Sequence, residues 1–238
     1  MEGPEVKLNC LFLQKKLEGC IVNFKMNEEI DEYEAYIVDE ISSKGKYLFI
    51  IASNEDDVLY IVFDIKGSCY WTDVEPDEYR FMIKIYDAKE LYFVDSKNSS
   101  IMTVYRNEAE FVEFRDSIGV DILTPEFTKT AWESLVKKHE KMNICSLMMN
   151  QKIISGCGNY MKSEALYEAK ISPIRLILNM TSKELEDLYI ALVLVSRKSF
   201  NEQALNQPYN YKIYNKPTAV KTKTGDGRTT FWDPKVQK

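Results

Sequence analysis

The chain opens Met1-Glu2-Gly3-Pro4-Glu5-Val6, which sets an α-amine beside two carboxylates, Glu2 and Glu5. An α-amine has the lowest reference pKa of the ordinary protein amines, about 7.7 to 8.0, so a useful fraction carries a lone pair near neutrality. Such an amine can attack a sugar aldehyde carbon to give a Schiff base, and a neighbouring carboxylic acid can move protons on and off the sugar oxygen. Six residues alone favour the plainer reading, a disordered terminus that leads into a helix.

A second segment with chemical content is Asn150-Gln151-Lys152-Ile153-Ile154-Ser155-Gly156-Cys157-Gly158-Asn159-Tyr160-Met161-Lys162-Ser163-Glu164-Ala165-Leu166. Two glycines two residues apart, then Asn at a helix start, let backbone amides and the Asn side chain converge on one anion such as a phosphate. The commoner meaning of Gly-x-Gly-Asn is a turn with an Asn cap. Other candidates reduce to packing or solvation. His139, the single histidine, sits on a helix face, Met142, Met148 and Met149 read as core filler, and Cys157 as a small buried side chain. The acidic run from Glu28 to Glu40 reads as a solvated loop.

The elements that must position these groups fall into two kinds. Val6 to Leu17 carries apolar residues at Val6, Leu8, Leu11, Phe12 and Leu13 in imperfect helical spacing, with Gly19 as a stop. From Cys20 to about Arg106, runs such as Tyr47-Leu48-Phe49-Ile50-Ile51 and Val58-Leu59-Tyr60-Ile61-Val62-Phe63 alternate with polar turns, which predicts antiparallel sheet in a sandwich or barrel. Gly119 to Pro125 reads as a connection. Helical spacing follows at Trp132, Leu135, Val136 and His139, over Asn143 to Asn150, and over Asn159 to Lys170. A longer helix begins at Thr181-Ser182-Lys183-Glu184, a capping box, with Leu185, Leu188, Leu192 and Val195 as its buried stripe. Tyr211, Ile213 and Tyr214, then Thr229-Thr230-Phe231-Trp232, predict a small terminal hairpin.

The 238 residues are 45% hydrophobic and 29% charged, ordinary globular content. No stretch approaches the ~18 apolar residues of a membrane span, so no membrane association is expected. Five scattered cysteines, at 10, 20, 69, 145 and 157, point to a reducing intracellular compartment rather than a disulfide framework. The net charge of -6 hides an asymmetry: residues 1–127 hold 13 Lys+Arg against 27 Asp+Glu, and residues 128–238 hold 18 against 10. A basic C-terminal half hints at a polyanion partner.

The Gln151-to-Leu166 string resembles the helix-two-turns-helix of the formamidopyrimidine-DNA glycosylase and endonuclease VIII family, D-Q-x-x-x-x-G-x-G-N-x-x-x-x-E-x-L. Other segments follow in the family's order. The N-terminus is similar to P-E-G-P-E-V, which aligns Glu2 with the catalytic glutamate, and Ser43-Lys44-Gly45-Lys46-Tyr47-Leu48 resembles R-G-K-Y-L, which aligns Lys46 with the β-hairpin lysine. Gly227-Arg228-Thr229-Thr230-Phe231-Trp232-Asp233-Pro234-Lys235-Val236-Gln237 resembles the finger R-x-x-[FY]-W-C-P-x-C-Q, with Asp233 and Val236 where that pattern has cysteines. The finger is therefore expected to be a zincless hairpin, with no metal and no cofactor.

Two departures stand out. Met1 precedes Glu2 directly, where family members expose a proline after Met removal, so Met1 is expected to be retained and to supply the nucleophile. At the family's duplex-inserting positions, Ile65 stands for a methionine and Asp95-Ser96-Lys97-Asn98-Ser99-Ser100 for D-P-R-R-F-G, so duplex insertion is expected to be weak.

The resemblance implies an α/β (α+β) protein: an N-terminal helix and antiparallel β-sandwich over 1–118, a linker over 119–127, a helix-two-turns-helix domain over 128–200 and the finger over 201–238, with a DNA cleft between the domains. It implies a monomeric, intracellular DNA glycosylase and AP lyase of base-excision repair acting on DNA with oxidised bases or abasic sites. Pyrimidines and hydantoins are favoured, because the stretch between the long helix and the hairpin is short. Met1, Glu2 and Lys46 are the expected catalytic residues; Lys46, Asn159 and Arg228 hold DNA; Glu5, Lys66 and Lys162 support them. The alternative is a non-catalytic damaged-DNA-binding protein that keeps the family's phosphate grip.

Overall fold

Pro4 lies in the first turn of α1 (Gly3–Leu17), where a missing N–H costs no helical bond, and Gly19 ends the helix at φ +76°. The buried stripe of α1 is Val6, Cys10, Leu13 and Leu17, at four-three-four spacing, while Leu11 and Phe12 face outward. The spacing that is imperfect over Val6, Leu8, Leu11, Phe12 and Leu13 becomes regular once Cys10, a small apolar residue, is counted. The structure, a computed structural model, describes residues 1–25, 34–86 and 88–238. Two compact units are present: Met1 with Glu5–Asp116, and Glu2–Pro4 with Ser117–Lys238.

In the first unit the strands are β1 (Ile21–Lys25), β2 (Tyr36–Lys44), β3 (Tyr47–Ser53), β4 (Val58–Asp64), β5 (Tyr70–Thr72), β6 (Phe81–Ile85), β7 (Leu91–Val94) and β8 (Ile101–Tyr105). Every pairing is antiparallel, in the order β5-β7-β6-β1-β2-β3-β4-β8. β4 and β7 stand five places apart in that order, ~24 Å across a flat sheet, yet the rings of Phe63 and Phe93 lie 5.5 Å apart. The sheet therefore folds over on itself as a sandwich, and Phe63, Trp71, Phe81 and Phe93 fill the space between its faces. The acidic run expected on a solvated loop lies in part outside the described residues, at 28–33; its end, Tyr36 to Glu40, belongs to β2.

One helix of this unit escapes the sequence reading. α2 (Glu108–Ser117) is opened by Asn107, whose side chain accepts the N–H of Ala109 at 2.9 Å. Phe111 stacks on Tyr60 and packs edge-on against Phe49. That contact covers the outer side of β3, so Leu48, Phe49 and Ile50 are buried in succession rather than alternately.

The second unit begins with β9 (Val120–Asp121), which pairs in parallel with β10 (Ile154–Ser155), so the stretch read as a connection contributes Ile122 and Phe127 to the core. α3 (Lys129–Lys138) is capped by Thr128, and Trp132 inside it donates its indole N–H to the Leu185 carbonyl at 2.9 Å. α4 (Ile144–Met149) and α5 (Asn159–Glu168) flank the glycine turn. α6 (Ser182–Ala204) opens with the expected capping box of Thr181 and Glu184, and Leu188, Leu192 and Val195 are buried.

The terminal hairpin pairs β11 (Val220–Lys223) with β12 (Thr229–Trp232), and not the Tyr211-to-Tyr214 segment as expected. The Glu164 carboxylate on α5 takes the backbone N–H groups of Lys212, Ile213 and Tyr214 at 2.7 to 2.8 Å, which removes them from any ladder. Beyond the hairpin the chain end is stitched to residues 170–172: Gln237 donates to the Ile171 carbonyl, and Ser172 to that of Lys238. No helix among the described residues is long and apolar enough to cross a membrane.

Candidate functional site

The glycine turn is built around one side chain. Gln151 accepts the N–H of Gly156 at 3.0 Å and donates to the carbonyl of Cys157 at 2.9 Å, bracing the loop across its width. Gly156 adopts φ +91°. Gly158 has an ordinary extended backbone but no room: a Cβ there would lie 2.3 Å from the Glu2 carboxyl carbon.

Glu2 is the anion that this turn receives. The residue is 7% exposed, and its two carboxylate oxygens accept the N–H groups of Tyr160 at 2.8 Å and Met161 at 3.1 Å, in the first turn of α5. Donors that helix geometry leaves without an internal partner are thus used, and the positive end of the helix dipole faces a carboxylate. Gly3 adds a backbone bond to the Gly156 carbonyl at 2.8 Å. The expectation that these backbone amides point at a phosphate is corrected: they hold Glu2.

Asn159, the first residue of α5, is half-buried and donates its amide to the Thr229 carbonyl at 2.9 Å. Its Oδ1 is buried and has no hydrogen-bond partner among the described residues. Arg228 is exposed in the hairpin turn, with no acidic group in salt-bridge range among the described residues. Lys162 is fully buried, its ammonium 2.7 Å from Asp226. As a supporting residue it fastens the hairpin instead of facing solvent. Asp233 and Val236 form a tight turn, in which the Asp233 carbonyl accepts the N–H groups of Val236 and Gln237, and Trp232 donates its indole N–H to Thr222 at 2.8 Å.

In the first unit, the α-amine of Met1 donates to the Gly67 carbonyl. The Met1 sulfur lies 3.8 Å from the Cys69 thiol and 3.9 Å from the Asn9 amide, so the side chain is seated against the sheet. Lys46 occupies the two-residue turn between β2 and β3, where Gly45 at φ +61° supplies the left-handed position of a tight hairpin. Lys46 is half-buried with no carboxylate in ion-pair range among the described residues. Lys66 is paired with Asp64 at 2.8 Å, and Glu5 lies on α1, where its carbonyl receives the Asn9 amide.

The duplex-inserting positions differ from expectation in a specific way. Ile65 is 1% exposed and belongs to the sandwich core, so it is no wedge at all. The 95–100 loop folds around Asp95, whose buried carboxylate accepts the N–H groups of Ser99 at 2.9 Å and Ser100 at 2.7 Å. Burial alone pushes the Asp95 carboxyl up, but hydrogen bonds from Ser100, Ser99 and Lys97 outweigh it and hold the group below the usual carboxylate range. Sequence reasoning passed over Gln151 and Glu164 as site builders, although both stand inside the motif; Asp226 and the Cys69–Asn9 seat carry no motif signal.

Solved structures share this architecture. The MutM (Fpg) protein of Thermus thermophilus superposes with a TM-score of 0.83 at 18% identity, covering 100% of this chain and 98% of that one. Lactococcus lactis Fpg in complex with abasic-site DNA gives 0.81 at 18% identity over 100% of both chains. The fold is the one these Fpg proteins have. The formamidopyrimidine-DNA glycosylase H2TH domain matches residues 118–207. A formamidopyrimidine-DNA glycosylase of Wolbachia pipientis subsp. Culex pipiens is 31% identical over 207 residues, 80% of this chain and 74% of its own. Human endonuclease 8-like 3 is 26% identical over 226 residues, 87% of this chain and 35% of its own. The chain belongs to the formamidopyrimidine-DNA glycosylase and endonuclease VIII family, DNA-binding glycosylases of base-excision repair.

Proposed function

We propose that the protein excises oxidised bases from DNA through a Schiff base on the α-amine of Met1 and then cuts the strand as an AP lyase. The observation that carries this reading is the seating of Glu2 on the α5 N-terminus, which fixes the residue bonded to Met1, while the Met1 amine itself is oriented by the Gly67 carbonyl. In the first step the amine lone pair forms a bond to C1′ of an extruded nucleotide, and the base departs with the glycosidic electron pair and takes up the proton that the newly bonded, positively charged nitrogen releases. Glu2, a carboxylate that takes a proton as the α-ammonium becomes the free amine, passes that proton to the sugar ring oxygen as the ring opens, which leaves an imine. Loss of a C2′ proton then expels the 3′ phosphate by β-elimination. No metal or cofactor enters these steps.

Lys46, Asn159 and Arg228 each contribute a contact to a phosphate near the lesion, with Glu5, Lys66 and Lys162 in support. The buried Ile65 and the closed 95–100 loop offer no large wedge, which favours single strands, loops or already weakened pairs. Residues 205–219 are pinned by Glu164 and by the burial of Tyr209 and Ile213, and are not a long cover for a purine. Oxidised pyrimidines and hydantoins are accordingly the favoured substrates. The protein acts as a monomer in an intracellular compartment that holds DNA. Strand cleavage of oligonucleotides carrying thymine glycol, a hydantoin or 8-oxoguanine tests the reading: the first two should be cut faster. Binding without cleavage of any of them would favour the non-catalytic binder.

A further inference from the structure

Two side chains from one turn of α5 grip the hairpin on either side of Arg228. Asn159 and Lys162 stand three residues apart and so share a helix face. Asn159 bonds the carbonyl of Thr229 at 2.9 Å, and Lys162 bonds the carboxylate of Asp226 at 2.7 Å. Both members of the ion pair are buried, at 0% and 4% side-chain exposure. The second Asp226 oxygen takes the Thr224 hydroxyl, and Thr224 in turn contacts Thr230 at 2.7 Å, so the carboxylate is held from two directions. Gly227, at φ +76°, reverses the chain between the inward Asp226 and the outward Arg228. Gly225 presses against α4, where a Cβ would come within 2.8 Å of the Ser146 hydroxyl.

A buried ion pair adds little net stability over an apolar pair of the same size, because desolvation offsets the attraction; what it specifies is a single arrangement. We infer that Lys162 and Asp226 are positioning residues that lock the hairpin turn and so aim the Arg228 guanidinium at its phosphate. The inference rests on the proposed phosphate contact of Arg228 and adds the device that makes the contact without thiolate ligands at 233 and 236. The lock acts through orientation, so its removal weakens DNA binding only while Arg228 is present.

The experiment measures affinity, by fluorescence anisotropy, for a duplex carrying a tetrahydrofuran abasic-site analogue over a range of salt. The proteins are the parent chain, Arg228→Ala, Lys162→Met with Asp226→Leu, and the triple variant. Arg228→Ala should weaken binding on the order of tenfold and lower the salt slope by about one. The paired Met/Leu variant should lose a similar factor and a similar slope, with an unchanged or higher Tm. In the triple variant the pair should add less than about twofold to the loss from Arg228→Ala. Asp226→Asn, which keeps the shape, should move affinity and slope in the same direction, and it keeps the test readable if the paired variant does not fold. Unchanged affinity for the lock variants while Arg228→Ala is weakened would overturn the inference alone. So would losses that add in full. Unchanged affinity for Arg228→Ala would overturn the phosphate reading and the inference with it.

Discussion

The carboxylate of Glu2 accepts the N–H of Tyr160 at 2.8 Å, across 158 positions of sequence. The family's two most recognisable segments, the N-terminal Glu and the Gly-x-Gly turn, are therefore one device: the turn is the socket and Glu2 its occupant. Gly158→Ala tests it directly, because the new Cβ would fall 2.3 Å from the Glu2 carboxyl carbon while the backbone remains allowed. We expect a loss of about 1 to 3 kcal/mol in urea unfolding and a collapse of Schiff-base trapping. Gly227→Ala, with nothing within 4 Å and only a positive φ to oppose it, should leave trapping far less affected.

Glu2→Gln keeps the size of the side chain but replaces one acceptor oxygen by a donor that faces the N–H of Met161 or Tyr160. It should slow base excision by a larger factor than it weakens binding to an abasic analogue. Equal losses in both would assign Glu2 to the architecture alone.

Asp95 makes a prediction about pH. Its folded-state carboxyl lies below its ordinary value of about 3.9, so its contribution to stability is complete above that value and is lost as pH falls through the folded pKa. Asp95→Asn should cost about 1.5 to 3 kcal/mol at pH 7, as for hydrogen bonds to a charged group, and should flatten the acid limb of a stability-versus-pH curve. A parallel acid limb in the variant would show that Asp95 is not the group responsible.

The hairpin makes a prediction about metal. It is held by Trp232 to Thr222, Gln237 to Ile171 and Lys162 to Asp226. Elemental analysis should find no stoichiometric zinc, and chelators should leave Tm unchanged. Tight tetrahedral zinc would contradict this account of the finger.

Much of this was legible in the sequence, for reasons that differ by element. The α6 capping box and stripe could be read because both signals are local: Thr181 and Glu184 lie three residues apart, and Leu188 and Leu192 four. The glycine turn was legible as a turn, but the identity of its anion was not, since Glu2 meets it only through the tertiary fold. The Asn107 cap and, in α2, Phe111 and Phe114 at helical spacing sit inside a β-rich composition, and ten residues of such apolar content read either way. Tyr211 and Tyr214 have strand propensity, yet the Glu164 carboxylate takes the N–H groups that a ladder would need. Ile65 stands at an insertion position, with the wedge methionine replaced, by alignment alone, since of its neighbours only Gly67 matches the family pattern; its burial in the sandwich core follows from the tertiary fold, which alignment does not show.

The α-amine of Met1 is the proposed nucleophile. Lysine amines, with a reference pKa of about 10.4, offer less than ~0.1% neutral form at pH 7, against roughly a tenth for an ordinary α-amine. Incubation with abasic-site DNA and borohydride, followed by proteolysis and mass spectrometry, reads the answer in one measurement. We predict a single covalent adduct that maps to residue 1 and disappears when that amine is acetylated, while DNA binding persists. An adduct on Lys46 or Lys66, or one that survives N-terminal blocking, would contradict the assignment, and the absence of any adduct on abasic DNA would contradict the enzyme.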